Sequence, residues 1–122
     1  MVKEERTEKR DLRYSKWHRT LGNPYYMMDL DCVEWRSGRG VVAIIEKAIR
    51  THDQLLQELI KNKEWEMKVM LEIATKLEIP AYVVYHEKDL SQFYVLEVKN
   101  SEQKPTWRVM AKEEYSEFIR TL

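Results

Sequence analysis

The chain has 122 residues, enough for one domain with a hydrophobic core. Its 21 basic and 21 acidic residues cancel, so any surface that attracts nucleic acid must be local. The single cysteine, Cys32, excludes an internal disulfide and fits a reducing cytoplasm, where we expect the protein. No apolar run approaches the ~20 residues of a membrane span, so we expect no membrane partner.

The N-terminal part of the chain predicts a basic helix. We expect residues 1–10 to be frayed. Leu12, Trp17 and Leu21 lie near helical spacing, which predicts a helix from about Asp11 that ends at 22–24. Its basic side chains would contact phosphates, or would form an ordinary solvated face. The candidates for nucleic-acid contact on this helix are Lys16, His18 and Arg19.

Residues 25–50 predict a β-hairpin on which the rest of the chain is built. Residues 27–36 alternate between two faces, residues 37–40 carry two glycines typical of a turn, and Val41–Ile45 is an apolar run typical of a central strand. With a turn at 38–39, Asp31 lies opposite Glu46. The same register sets Val33 opposite Ile44 and Trp35 opposite Val42.

The predicted register brings two carboxylates together. Opposed Cβ atoms lie roughly 5 Å apart, and two carboxylates at that spacing repel unless a cation lies between them or one is protonated. A hard divalent cation such as Mg²⁺ or Mn²⁺ takes such ligands, so Asp31 and Glu46 are candidate metal ligands. Asp29, on the same face as Asp31, is an additional or alternative ligand. A longer turn would shift the register by one residue and separate the pair.

The downstream chain predicts alternating helices and strands. Residues 51–78 contain no Gly or Pro and predict two helices, or one kinked helix, interrupted at 62–64. Thr51 or Asp53 would cap the first of them. Three strands and a closing helix follow, at Ala81–Tyr85, Gln92–Val98, Trp107–Met110 and Glu113–Leu122.

An acidic residue on one strand, a turn, and an apolar strand ending in Glu46 resemble the PD-(D/E)xK nuclease superfamily. That group includes type II restriction endonucleases and archaeal Holliday-junction resolvases. The order of helices and strands after Glu46 follows the same core. The resemblance implies an α/β fold with a mixed central β-sheet flanked by helices, the restriction-endonuclease-like core, over a single nuclease-like domain at 1–122.

The resemblance also implies a function. A metal-dependent endonuclease of this group hydrolyses phosphodiester bonds of DNA, here duplex or branched, and commonly acts as a homodimer. By resemblance, Asp31 and Glu46 would hold Mg²⁺ or Mn²⁺ with the carbonyl of Lys47. Lys47 or Arg50 would supply the cation that stabilises the transition state, and Arg50 would also contact nucleic acid.

One position departs from the motif. The superfamily places lysine two residues after the glutamate, where this chain has Ala48. Either a bulge turns Lys47 inward, or Arg50 or Lys61 replaces it, or catalysis is lost. The last alternative predicts a catalytically inactive nuclease-like domain that serves as a nucleic-acid-binding or protein-interaction module. A third interpretation makes Asp31 and Glu46 an ordinary polar pair in a structural partner protein.

Overall fold

The computed structural model describes residues 12–50, 55–100 and 106–122. These residues form a five-stranded mixed sheet and four helices, so the predicted mixed α/β class is confirmed. The elements follow along the chain as α1 (Arg13–Arg19), β1 (Cys32–Arg36), β2 (Gly40–Ile49), α2 (Leu56–Lys61), α3 (Glu64–Leu77), β3 (Ala81–His86), β4 (Gln92–Glu97), β5 (Arg108–Ala111) and α4 (Lys112–Thr121).

The strands lie in the sheet in the same order as in the chain, β1-β2-β3-β4-β5. Three neighbouring pairs are antiparallel, and β2 and β3 are parallel. A parallel pair requires a crossover connection, and the segment that contains α2 and α3 provides it. The β1–β2 hairpin is therefore joined to the rest of the sheet by one non-local pairing.

Helices cover both faces of the sheet, as predicted. On one face α2 and α3 pack over Ile44, Val83 and Tyr85, and Met70 of α3 is fully buried there. On the other face α4 packs over a second set of strand residues, which includes Ile45 and Val84. Because β2 and β3 are covered on both faces, their side chains are apolar in succession rather than alternating.

Most predicted element boundaries hold within two residues, but β2 continues to Ile49, four residues past the end of the predicted Val41–Ile45 strand. The predicted interruption between two helices is confirmed, since α2 ends at Lys61 and α3 begins at Glu64. The first strand is shorter than predicted, because it begins at Cys32 and residues 27–31 are not strand. The frayed 1–10 segment and the caps proposed at 51 and 53 lie outside the described residues. Within the described ranges, no helix has the length and apolar character needed to cross a bilayer.

The β1–β2 pairing has two registers, separated by a β-bulge. Val33 pairs with Ile44, as predicted. Trp35 pairs with Val41, so the predicted pairing of Trp35 with Val42 is wrong. Between the two pairs β2 has one extra residue, Val42, which is the bulged position.

The turn of this hairpin is one residue longer than predicted. Arg36 pairs with Gly40, and the Arg39 N–H donates to the Arg36 carbonyl at 3.1 Å. Gly38 and Gly40 have φ angles of +80° and +85°, a conformation that favours glycine. The longer turn alone would have moved the two acidic residues out of register, and the bulge cancels that shift.

Two arginines of the hairpin bind the last turn of α4. Arg36 Nη2 donates to the Ile119 carbonyl at 2.6 Å, and Arg39 Nη1 donates to the Leu122 carbonyl at 2.9 Å. The carbonyls at a helix C-terminus lack partners within the helix and carry partial negative charge, which cations stabilise. These contacts hold the tip of the hairpin against the helix on one face of the sheet.

Tyr115 of α4 should make the fold sensitive to alkali. Burial, assisted by the negative charges of Glu34 and Cys32, raises the pKa of Tyr115 from 10.0 to about 12. The folded state therefore holds the phenolic proton more tightly than the unfolded state does. The stability gained from this proton is full below pH ~10 and is lost by pH ~12; because the side chain is partly exposed, solvent screening reduces it to about 1–2 kcal/mol.

The Tyr115→Phe variant isolates this effect, because it keeps the ring that stacks on Phe93 at 4.0 Å and removes the titrating group. Urea unfolding of both proteins at pH 8, 10 and 11.5 measures the difference. The wild type should lose stability relative to the variant only above pH 10. Parallel losses in the two proteins would contradict this prediction.

Candidate metal centre

Asp31 and Glu46 come together next to the first pair of the β1–β2 ladder. Glu46 lies within β2 and is 7% exposed. Its Oε1 accepts a hydrogen bond from the backbone N–H of Asp31 at 3.2 Å. In return, Oδ2 of Asp31 accepts from the backbone N–H of Lys47 at 3.1 Å. Glu46 therefore accepts from the backbone of Asp31, and Asp31 accepts from the residue after Glu46. These two hydrogen bonds hold both side chains at one place.

The direction of the β2 backbone explains these contacts. The N–H groups of Ile44 and Arg50 donate to carbonyls at the two ends of β3. Polar backbone groups alternate in direction along a strand, so the N–H and C=O of Lys47 point away from β3 and toward β1. The ladder with β1 begins at Cys32, opposite Ile45, and does not reach Lys47. The Lys47 N–H lies beyond the end of this ladder and donates to the Asp31 side chain instead.

Burial and the neighbouring acid both act on Glu46. The pKa of Glu46 is raised from 4.5, first by burial; the hydrogen bond from the Asp31 backbone N–H acts against this rise, and the negative charge of Asp31 adds to it. Burial and a like charge both disfavour the ionised form of Glu46, whereas a divalent cation bound between the two carboxylates would favour it.

The donor set fits a hard divalent cation. It offers two carboxylates, and the Lys47 carbonyl points to the same side of β2 as the N–H that binds Asp31. No third His, Cys, Asp or Glu side chain joins the pair among residues 12–50, 55–100 and 106–122. Mg²⁺ usually binds one or two carboxylates and takes its remaining ligands from water and substrate phosphate, so the pair is sufficient for it.

Lys63 is a charged neighbour of the pair that the sequence analysis did not identify. Its positive charge lowers the pKa of Glu46, against the larger effect of burial. Lys63 is the half-buried residue just before α3, in the break between α2 and α3. The sequence signals that break, but it does not show that the start of α3 lies over Glu46 rather than over another part of the sheet.

The other basic residues considered for the role of the motif lysine are Lys47, Arg50 and Lys61. No register shift occurs between Ile44 and Ile49, so no bulge turns Lys47 inward; its side chain is exposed on the face opposite Glu46. Arg50 follows directly after β2, about 13 Å along the strand direction from Glu46. Its Nη1 is 3.8 Å from Oε1 of Glu87, and its guanidinium carbon lies 4.9 Å from the centroid of the Tyr94 ring. Lys61 is an exposed residue at the end of α2.

The remaining predicted residues lie around a second feature, which we call the aromatic cleft. It has a volume of about 340 Å³ between α1, the segment before β1, and α3. His18 and Arg19 line it, and so does Asp29, which is therefore in a different environment from Asp31. Lys16 is exposed on α1. The full lining is Leu12, Ser15, His18, Arg19, Tyr25, Tyr26, Met27, Asp29 and Trp65.

Comparisons with protein-family models, with curated proteins and with solved structures found no match to this chain. The function proposed below is therefore supported by the chain's own residues and by the resemblance of its hairpin to the PD-(D/E)xK motif.

Proposed function

We propose that the protein is a metal-dependent nuclease that hydrolyses phosphodiester bonds of DNA, built on a restriction-endonuclease-like core. The observation that carries the proposal is the acidic pair. Glu46 is the only buried charged residue in the described part of the chain, and it is hydrogen-bonded to the backbone N–H of a second acidic residue, Asp31, whose charge adds to the rise in its pKa. Burying a charge is costly, so an arrangement that adds a like charge favours a ligand role over a stabilising one.

The chain's own residues have distinct roles in this proposal. Asp31 and Glu46 hold Mg²⁺ or Mn²⁺, with the Lys47 carbonyl as a third oxygen ligand. The bound ion supplies Lewis acidity toward the scissile phosphate and makes a coordinated water easier to deprotonate. Lys63 offsets negative charge next to the pair, the role that the resemblance assigned to a lysine on the strand.

The proposal is tested by metal-dependent stability and cleavage measured together. The Tm of the protein should rise with millimolar Mg²⁺ or Mn²⁺ by mass action, because the folded site binds the ion and the unfolded chain does not. Labelled DNA is supplied in single-stranded, duplex and branched forms, and at least one form should be cleaved in the presence of Mn²⁺ and left intact in EDTA. A protein that shows neither stabilisation nor nicking would rule the proposal out.

Lys63→Ala should reduce the cleavage rate by about 10²–10³-fold, the usual loss when one charge-stabilising group is removed from a site. Metal binding should persist, because Lys63 is not a ligand. Lys61→Ala is the matched control, since it removes an exposed lysine two residues away. Single-turnover cleavage at saturating Mn²⁺ measures both variants, and equal rates for the two would exclude Lys63 from the site.

A second candidate function is a nucleic-acid-binding or interaction module without turnover. The observation that favours it is Ala48, which lies on the same face of β2 as Glu46, where the superfamily motif has lysine. If the wild type binds metal and does not cut, Ala48→Lys should introduce cleavage. Ala48→Met controls for the added side-chain length without charge. Cleavage by the lysine variant alone would identify the missing charge as the cause of inactivity.

A further inference from the structure

The aromatic cleft exposes rings that a stable core would bury. Tyr25 and Tyr26 are 62% and 64% exposed, and Trp65 of α3 is 43% exposed. Tyr26 and Trp65 meet edge to face, with ring centroids 6.3 Å apart and an interplanar angle of 71°, so they form two walls of a corner. The volume of about 340 Å³ is at the lower end of ligand sites, which suits a single ring system rather than a peptide segment.

The corner is held in place before any ligand arrives. The hydroxyl of Tyr26 donates to Oδ1 of Asn23 at 2.9 Å, which fixes the direction of its ring. Trp65 is in the first turn of α3, the helix that Met70 anchors to the sheet. Rings that are already oriented lose little conformational entropy on binding, which favours stacking against a planar ligand.

The charge around the cleft is positive on the side of α1. That helix, Arg13–Arg19, contains Arg13, Lys16, His18 and Arg19 and no acidic residue. His18 and Arg19 belong to the lining of the cleft itself. Flat aromatic walls combined with a basic rim are the features with which proteins bind single-stranded nucleic acid, because bases stack on the rings and phosphates contact the cations.

The cleft lies directly upstream of the acidic pair. Asp29 lines the cleft, and two residues of backbone, at most about 7 Å, separate it from Asp31. Successive phosphates of an extended strand are spaced on the same scale as this distance. A base in the cleft would therefore leave the next phosphodiester group close to Glu46 and Asp31.

We propose that the aromatic cleft binds one unpaired nucleobase of a DNA strand through Tyr25, Tyr26 and Trp65, with Arg19 at the phosphate. The protein then selects single-stranded or branched DNA over a continuous duplex, whose bases are stacked in pairs and do not reach the corner. The position of the cut next to this base rests on the proposed nuclease function, whereas the binding of the base does not.

Binding in EDTA tests the cleft without any contribution from catalysis. The probes are a fluorescein-labelled 12-nucleotide oligothymidylate and an oligomer of the same length and charge in which abasic units replace the nucleotides. Fluorescence anisotropy gives the Kd of each. The wild type should bind oligothymidylate about 5- to 150-fold more tightly than the abasic oligomer, the factor expected for stacking of one base.

The variants separate stacking from charge. Trp65→Ala and Tyr25→Ala should bring the ratio of the two Kd values toward one. Trp35→Ala, which removes a tryptophan that is 62% exposed outside the cleft, should leave the ratio unchanged. Arg19→Ala should weaken both oligomers by the same factor. Tyr25→Ala changes an exposed residue, so it remains informative if Trp65→Ala does not fold.

The other possible results each keep or overturn the proposed base site. A wild-type ratio of one, or a ratio that Trp65→Ala and Tyr25→Ala do not change, would overturn it. So would light scattering that shows a dimer converted to a monomer by Tyr25→Ala, because the cleft would then be an interface between copies. A high ratio without cleavage in Mn²⁺ keeps the base site and removes the nuclease function. Cleavage with a ratio of one keeps the nuclease function and removes the base site.

Discussion

Replacing Glu46 with alanine is expected to lower metal-dependent cleavage by several orders of magnitude and to leave the fold intact. The change removes one of two carboxylates at the candidate metal centre, and the ion they hold would both activate water and offset phosphate charge. Glu46 is also buried with a raised pKa, so its ionised form costs stability in the metal-free protein. Stability in EDTA should therefore be unchanged or higher in the variant.

Glu46→Gln is the control for packing and hydrogen bonding. The amide oxygen can still accept the hydrogen bond from the Asp31 N–H, while the negative charge is absent. Both variants should lose the rise in Tm that metal gives the wild type, because both lack the ionised ligand. The measurements are melting curves with EDTA or Mn²⁺ and single-turnover nicking. Full metal stabilisation in Glu46→Gln would show that the ion binds elsewhere.

Met70→Ala is expected to be the most destabilising single substitution proposed here. Met70 is 0% exposed in α3 and belongs to the core cluster that contains Ile44 and Val83. Removing its side chain leaves a cavity that a packed core closes only in part, at a cost of about 2–5 kcal/mol. For a domain of this size, the Tm should fall by roughly 10 °C or more.

Met27→Ala makes the same chemical change at a residue that is 41% exposed. Exposed substitutions of this kind usually change stability by less than ~0.5 kcal/mol, so Met27→Ala should melt close to the wild type. Urea unfolding at pH 7 compares the two variants. A similar loss in both would mean that α3 does not pack on the sheet through Met70.

The sequence was sufficient to predict those elements that depend on local pattern. The apolar run at Val41–Ile45 and the turn glycines located the hairpin. The interruption at 62–64 located the break between α2 and α3. The pairing of Val33 with Ile44 was predicted from an assumed turn at 38–39, and it is correct because the longer turn and the bulge at Val42 offset each other.

The parts that sequence reasoning missed depend on two or more elements acting together. The extra turn residue and the bulge at Val42 cancel, and a bulge has no reliable signature in one strand. Lys63 and Trp65 reach their sites only because α3 crosses the sheet as it does. The exposed rings of Tyr25 and Tyr26 could not be told from core aromatics, since composition does not report which face an aromatic ring occupies.

The hairpin places both acidic residues within one short, contiguous stretch of chain. Their spacing is therefore a local property, whereas the pKa of Glu46 depends first on burial, with Lys63, the residue just before α3, acting against the rise. The two quantities can change independently in evolution or by design. Replacing Lys63, which belongs to neither strand of the hairpin, would raise the pKa of Glu46 further and leave both candidate ligands in place.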